Sequence, residues 1–123
     1  MEGRPLEGGK AGRLFIVSGK VKNNYDHPRS FIQVSSSLYA RGSMLAQNVK
    51  AYCGNVLPDS ELLKMSMPEI QAIMGRRSGE SNSNVGVKPG AEVPFMVVFS
   101  DIPDQKNLET YTITVVGSSA SGN

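Results

Sequence analysis

Cysteine and histidine each occur once in the 123 residues, and tryptophan is missing altogether. A lone Cys53 excludes an intrachain disulfide and any cage of thiolates around a metal. A lone His27, set beside Pro28 in turn-forming sequence, has neither a ligand-spaced neighbour nor the orienting partner and nucleophile that a catalytic imidazole needs. No run approaches the roughly 18 apolar residues of a membrane span, and the N-terminus lacks the apolar core of a secretion signal. The chain itself is therefore expected to be soluble, with any membrane tether outside it. The net charge of +2 is small and the cations are scattered, so no nucleic-acid partner is expected. Arg76-Arg77, between Gly75 and Gly79, reads as a solvated loop.

What the chain does have is turn formers and β-branched residues. Thirteen Gly and seven Pro alternate with short apolar runs, which favours strands over long helices within a single domain. Residues 1–12 are rich in Gly and charge and read as a flexible linker or arm, with the folded domain over 13–117 and a flexible tail over 118–123. The first strand is expected to place Phe15, Val17 and Val21 on one face, together with Gly19, whose missing side chain suggests a bulge or a close backbone approach. Ile32, Val34, Ser36 and Leu38 share the inward face of the next strand, and Leu45, Val49 and Ala51 continue it beyond a hairpin at Arg41-Gly42-Ser43.

The period then changes from two to that of a helix. Asp59 is placed to cap a short helix, and Ser66-Met67-Pro68-Glu69 fits a capping box for a second one carrying Ile70, Ile73 and Met74 and ending at Gly75. Residues 59–75 thus form a helical insertion that must dock on the sheet. A short strand over 84–87 follows. Val93, Phe95, Val97 and Phe99 give the most regular inward series, and Tyr111, Ile113 and Val115 the last one. Six strands at short spacing predict a mainly all-β, antiparallel sandwich of two layers.

Gly19-Lys20-Val21-Lys22-Asn23, Pro28-Arg29-Ser30-Phe31-Ile32 and Leu38-Tyr39 with Gly42 come first in a characteristic order. Tyr52-Cys53-Gly54-Asn55-Val56-Leu57, Leu62 with Met67 to Ile70, Asn84-Val85, and Pro89-Gly90 before Val93 to Phe99 complete it. Taken in that order these runs resemble the bacterial domain-of-unknown-function family 3426, over about residues 12–116. The resemblance implies an immunoglobulin/fibronectin-like sandwich on the extracytoplasmic (periplasmic) side of a single-span membrane protein whose four-cysteine zinc ribbon lies elsewhere. It brings no catalytic residue.

No catalytic, cofactor-binding or metal site is expected, and no cofactor. Glu61, Glu69, Asp101, Asp104 and Glu109 are scattered, and Asp101 and Asp104 around Pro103 fit a turn better than a calcium loop. The candidate interaction surface is Phe31, Met44, Met96 and Val98, on the outward set of their strands, with Arg76 and Arg77; if the insertion covers the outer face, these apolar residues are core instead. The function expected is a non-enzymatic module that binds a protein partner in the cell envelope. The alternative is a carrier of an apolar ligand or lipid, held between the insertion and the sheet near Met65, Ile70 and Met74.

Overall fold

The computed structural model describes residues 1–102 and 107–120. The strands are β1 (Glu2–Gly9), β2 (Gly12–Lys22), β3 (Arg29–Ala40), β4 (Met44–Tyr52), β5 (Glu92–Ser100) and β6 (Leu108–Ala120). Between β4 and β5 lie α1 (Asp59–Leu62), α2 (Met67–Met74) and a 3-10 turn at Glu80–Asn82. Two three-stranded sheets, ordered β1-β2-β5 and β4-β3-β6, pair antiparallel throughout. The expected all-β sandwich with its helical insertion is what folds.

The alternating apolar residues explain the layers. Val97 faces Val17 and Phe99 faces Phe15 across the β2–β5 ladder, and the Phe15 ring lies 5.6 Å from that of Tyr111 on β6. This odd-numbered set, with Phe95, closes over Ile32, Val34 and Leu38 of β3, all buried. The even-numbered set of the same strands, Leu14, Ile16, Met96 and Val98, is buried as well, on the opposite face where Leu62, Ile70 and Met74 of the insertion dock. α2 begins with the expected capping box, Ser66 and Glu69 each satisfying the other's backbone N–H, and it ends at Gly75. α1 is capped differently: Pro58 is its N-cap, and Asp59 takes both guanidinium nitrogens of Arg4 on β1 instead, one at 2.9 Å.

Four expectations are revised. Residues 1–12 are not a flexible linker, because Glu2–Gly9 pair with β2 from Ser18 to Gly12. Their glycines serve close approach: a Cβ on Gly3 would sit 2.4 Å from the Tyr111 ring, and one on Gly9 would sit 2.8 Å from the Leu63 backbone. At the other end, Ser118 to Ala120 continue β6, while the rest of the expected tail lies outside the described residues. The strand over 84–87 reduces to one bridge between Val87 and Arg29. Leu45 points outward and is 60% exposed, because the β3–β4 register shifts after Gln47 and leaves Ala46 as an extra residue, which reverses the facing beyond it.

Gly3→Val, which forces a branched side chain against Tyr111 and Phe15, is expected to lower unfolding free energy by about 1–3 kcal/mol. Urea denaturation followed by tyrosine fluorescence checks this; an unchanged midpoint would mean that β1 is not packed on β6.

Candidate functional site

Several residues capable of chemistry are engaged in holding the chain. The Cys53 thiol is buried, and burial pushes its pKa up to about 12. Hydrogen bonds from the Ser66 backbone and hydroxyl hold the Glu69 carboxyl below its ordinary range, and the Arg4 guanidinium does the same for Asp59. Glu109 accepts from the Ser43 hydroxyl and the backbone N–H groups of Gly42 and Ser43, pinning the β3–β4 hairpin to β6 and lowering its own pKa. Asp26 lies 2.9 Å from Nδ1 of His27, within one turn. Among the described residues no three His, Cys, Asp or Glu side chains gather to hold a metal ion. Asp101 is exposed, and Pro103 and Asp104 lie outside the described residues.

The candidate surface breaks up in three dimensions. Met96 and Val98 are 4% and 1% exposed, because the insertion covers the outer face of β5; they are core, not interaction surface. Phe31 and Arg77 are brought together, the guanidinium 4.5 Å above the ring, with Arg76 exposed beside them. Met44 is 68% exposed, but it pairs with Ala40 at the far end of β3, about 30 Å from Phe31 by strand rise.

The Phe31 end is a structural junction. Phe31 has φ 57°, a left-handed conformation that costs a bulky residue strain, at a break in the β3–β6 register. Asn84, fully buried, compensates. Its Oδ1 accepts from the Ile32 N–H at 3.0 Å, and its Nδ2 donates to the carbonyls of Ile32 and Arg77. Two further buried asparagines close neighbouring loops in the same way. Asn23 donates to the Val87 and His27 carbonyls, and Asn55 donates to those of Tyr52 and Arg76. Each belongs to one of the ordered runs that carry the family resemblance.

The space between insertion and sheet, proposed as a ligand cavity, holds about 70 Å³ beside Met67, Ile70, Met74 and Val98. Small-molecule pockets run to about 300–1,000 Å³, so helices and sheet pack directly here. The larger space is elsewhere. Two adjoining hollows, each of about 310 Å³, share Val21, Lys22, Asn24 and Val115. They open between the ends of β2 and β6, with Met1 at one side. Val34, Phe95 and Ile113 form the floor, and Lys20, Lys22 and Arg29 stand at the rim. Arg29 is fixed by donating to the hydroxyl and carbonyl of Ser118, 2.9 Å each, and by stacking on Tyr25 at 4.4 Å. The sequence signal for this site was present in the alternation Lys20-Val21-Lys22, which puts cations on either side of an inward valine.

The fold and this cleft define a β-sandwich domain, six-stranded among the described residues, with a helical cover on one sheet. The model of the family described as "Protein of unknown function (DUF3426)" matches residues 1–115, and the chain belongs to that family. No curated protein and no solved structure matches it. Among the described residues no helix is long and apolar enough to cross a membrane.

Asn84→Ala, which strands the Ile32 amide and two carbonyls, is expected to cost about 2–4 kcal/mol in chemical denaturation. A loss under about 0.5 kcal/mol would show that Asn84 is not the clip. Cys53 is expected to resist iodoacetamide at pH 8 until the protein unfolds, read by mass spectrometry; rapid alkylation of the native protein would contradict its burial.

Proposed function

We propose that the domain is a non-enzymatic recognition module of the cell envelope that binds a protein partner by accepting an extended segment along β6. The observation that supports this is the state of the sheet edges. β1 carries Glu2, Arg4, Pro5 and Glu7, a combination of charge and proline that discourages strand addition. β4 carries Lys50 and the register break at Ala46. The outer edge of β5 carries Pro94, whose carbonyl accepts the Gly54 N–H. β6 is different. It pairs with β3 on one side, and from Thr110 to Ala120 it holds neither a charge nor a proline.

The strand order strengthens the reading. In the proposed reading β1, β2 and β5 correspond to strands A, B and E of an immunoglobulin-like sandwich, and β3 and β6 to C and F. In such a sandwich a further strand, G, lies beside F. An extended segment laid beside β6 in that place would gain main-chain hydrogen bonds as in other cases of strand addition. Location in the envelope and a tether beyond this chain follow from the family resemblance, and they accord with an interaction role.

The test compares the domain with Thr112→Glu/Thr114→Glu, two exposed outward positions on β6, as baits on solubilised envelope, with folding checked by circular dichroism. The expected result is a partner retained by the native domain and depleted about tenfold by the charged edge. Equal recovery by both baits would place recognition elsewhere.

A further inference from the structure

We infer that His27 is a pH-sensitive latch on the turn between β2 and β3: neutral, its imidazole bridges Asp26 and Arg29 and closes against Tyr25; protonated, it swings off Arg29 and uncovers the Tyr25 ring. The inference stands apart from the edge reading above and rests on which atoms meet. Nδ1 of His27 lies 2.9 Å from Oδ1 of Asp26, and Nε2 lies 3.3 Å from Nη1 of Arg29. A guanidinium nitrogen can only donate, so Nε2 accepts, and the single ring proton of the neutral form sits on Nδ1 and is given to Asp26. The arrangement fits one tautomer of one charge state. A second proton would enter on Nε2, where its N–H would point at an N–H of Arg29.

When two cations face each other in this way, the less firmly held one moves. Arg29 is the firmer. It donates to the Ser118 hydroxyl and carbonyl at 2.9 Å each and lies 4.4 Å from the centre of the Tyr25 ring. The turn backbone is held too, since Asn23 donates to the His27 carbonyl at 3.0 Å and accepts the Tyr25 N–H at 2.8 Å. What is left to yield is the imidazole, which is 45% exposed and within reach of solvent protons. The change is therefore a side-chain swing, with the turn itself intact. It takes the imidazole from the Tyr25 ring, now 5.6 Å away between centres. Tyr25 and Arg29 both line the second hollow, so the swing alters its wall.

The charged groups on the surrounding elements leave the roles clear. Asp26 and the phenol of Tyr25 lie on the turn itself, Arg29 on β3, and Lys22 and Glu92 opposite each other on β2 and β5. Lys88 lies on the neighbouring turn, whose Gly90 N–H donates to the Asn23 carbonyl, and β6 from Thr112 to Ala120 brings no titratable side chain. Among the described residues the imidazole meets Asp26, Arg29 and the Tyr25 ring. The hydrogen bond from His27 holds the Asp26 carboxyl below its ordinary range. Asp26 thus stays ionised while the imidazole takes its second proton, and it keeps hold of Nδ1 as Nε2 lets go of Arg29.

The experiment follows the ring nitrogens of His27, and the nuclear Overhauser contact between the His27 and Tyr25 rings, in the isotope-labelled chain from about pH 8 to about pH 5. At the upper end the proton is expected on Nδ1 and the ring contact is expected to be present. On protonation the contact is expected to be lost while the Tyr25 amide keeps its bond to Asn23. In Arg29→Gln, which removes the facing cation, the contact is expected to survive protonation. In His27→Gln the Tyr25 ring signals are expected to stop following pH over this range. A proton on Nε2 at the upper end, a ring contact that survives protonation in the native chain, or the same loss in Arg29→Gln would each overturn the latch.

Discussion

β5 is buried on both faces, and the rest of the molecule is arranged around that fact. Phe95, Val97 and Phe99 enter the space between the sheets, while Met96 and Val98 enter the space beneath α2, so five consecutive side chains leave water. Each contributes on the order of 1.5–3 kcal/mol. A strand in that position needs cover on each side. The β4-β3-β6 sheet supplies one cover and the short helices, too small to persist alone, supply the other. The result is a tightly closed body on the β4–β5 side, with the cleft between the ends of β2 and β6 on the other.

That asymmetry links packing to recognition. At the closed side β5 carries the covering helices and receives Gly54 on its outer edge. At the cleft Val115 is 51% exposed although it pairs with the buried Val34. The buried asparagines keep this opening in shape. Asn84 fixes the start of β3, and Asn23 fixes the turn between β2 and β3 that places Tyr25 and Arg29 at the rim. Such side-chain clips take the place of ladder hydrogen bonds where strands end, and a loop satisfied in this way is rigid without disulfide or metal.

The sandwich was legible because period-two alternation is a local signal: Phe95-Val97-Phe99 and Ile32-Val34-Leu38 announce an inward face wherever the partners come from. The capping box at Ser66 and Glu69 was legible for the same reason. The errors share a cause, since each depended on a distant partner. Gly3 and Gly9 read as flexible because glycine density looks like a linker, whereas they are small to admit Tyr111 and the Leu63 backbone. Leu45 was misplaced by a single extra residue, invisible in an alternating run. Met96 and Val98 changed from surface to core once the insertion had a location. The cleft was only half legible: the alternation Lys20-Val21-Lys22 was local, but its meeting with Ile113 and Val115 of β6 is a property of the folded surface.

The central claim is that β5, the outer strand of its sheet, is covered on both faces, while the outer edge of β6 takes no strand among the described residues. Native-state hydrogen exchange of the isolated chain measures both at once. The account predicts that amides of β2, and those of β5 that pair with β2, exchange only by global opening, while alternate amides of β6, those facing away from β3, exchange faster by orders of magnitude. Uniform slow exchange along β6, matching β5, would contradict it by showing that the edge is already occupied.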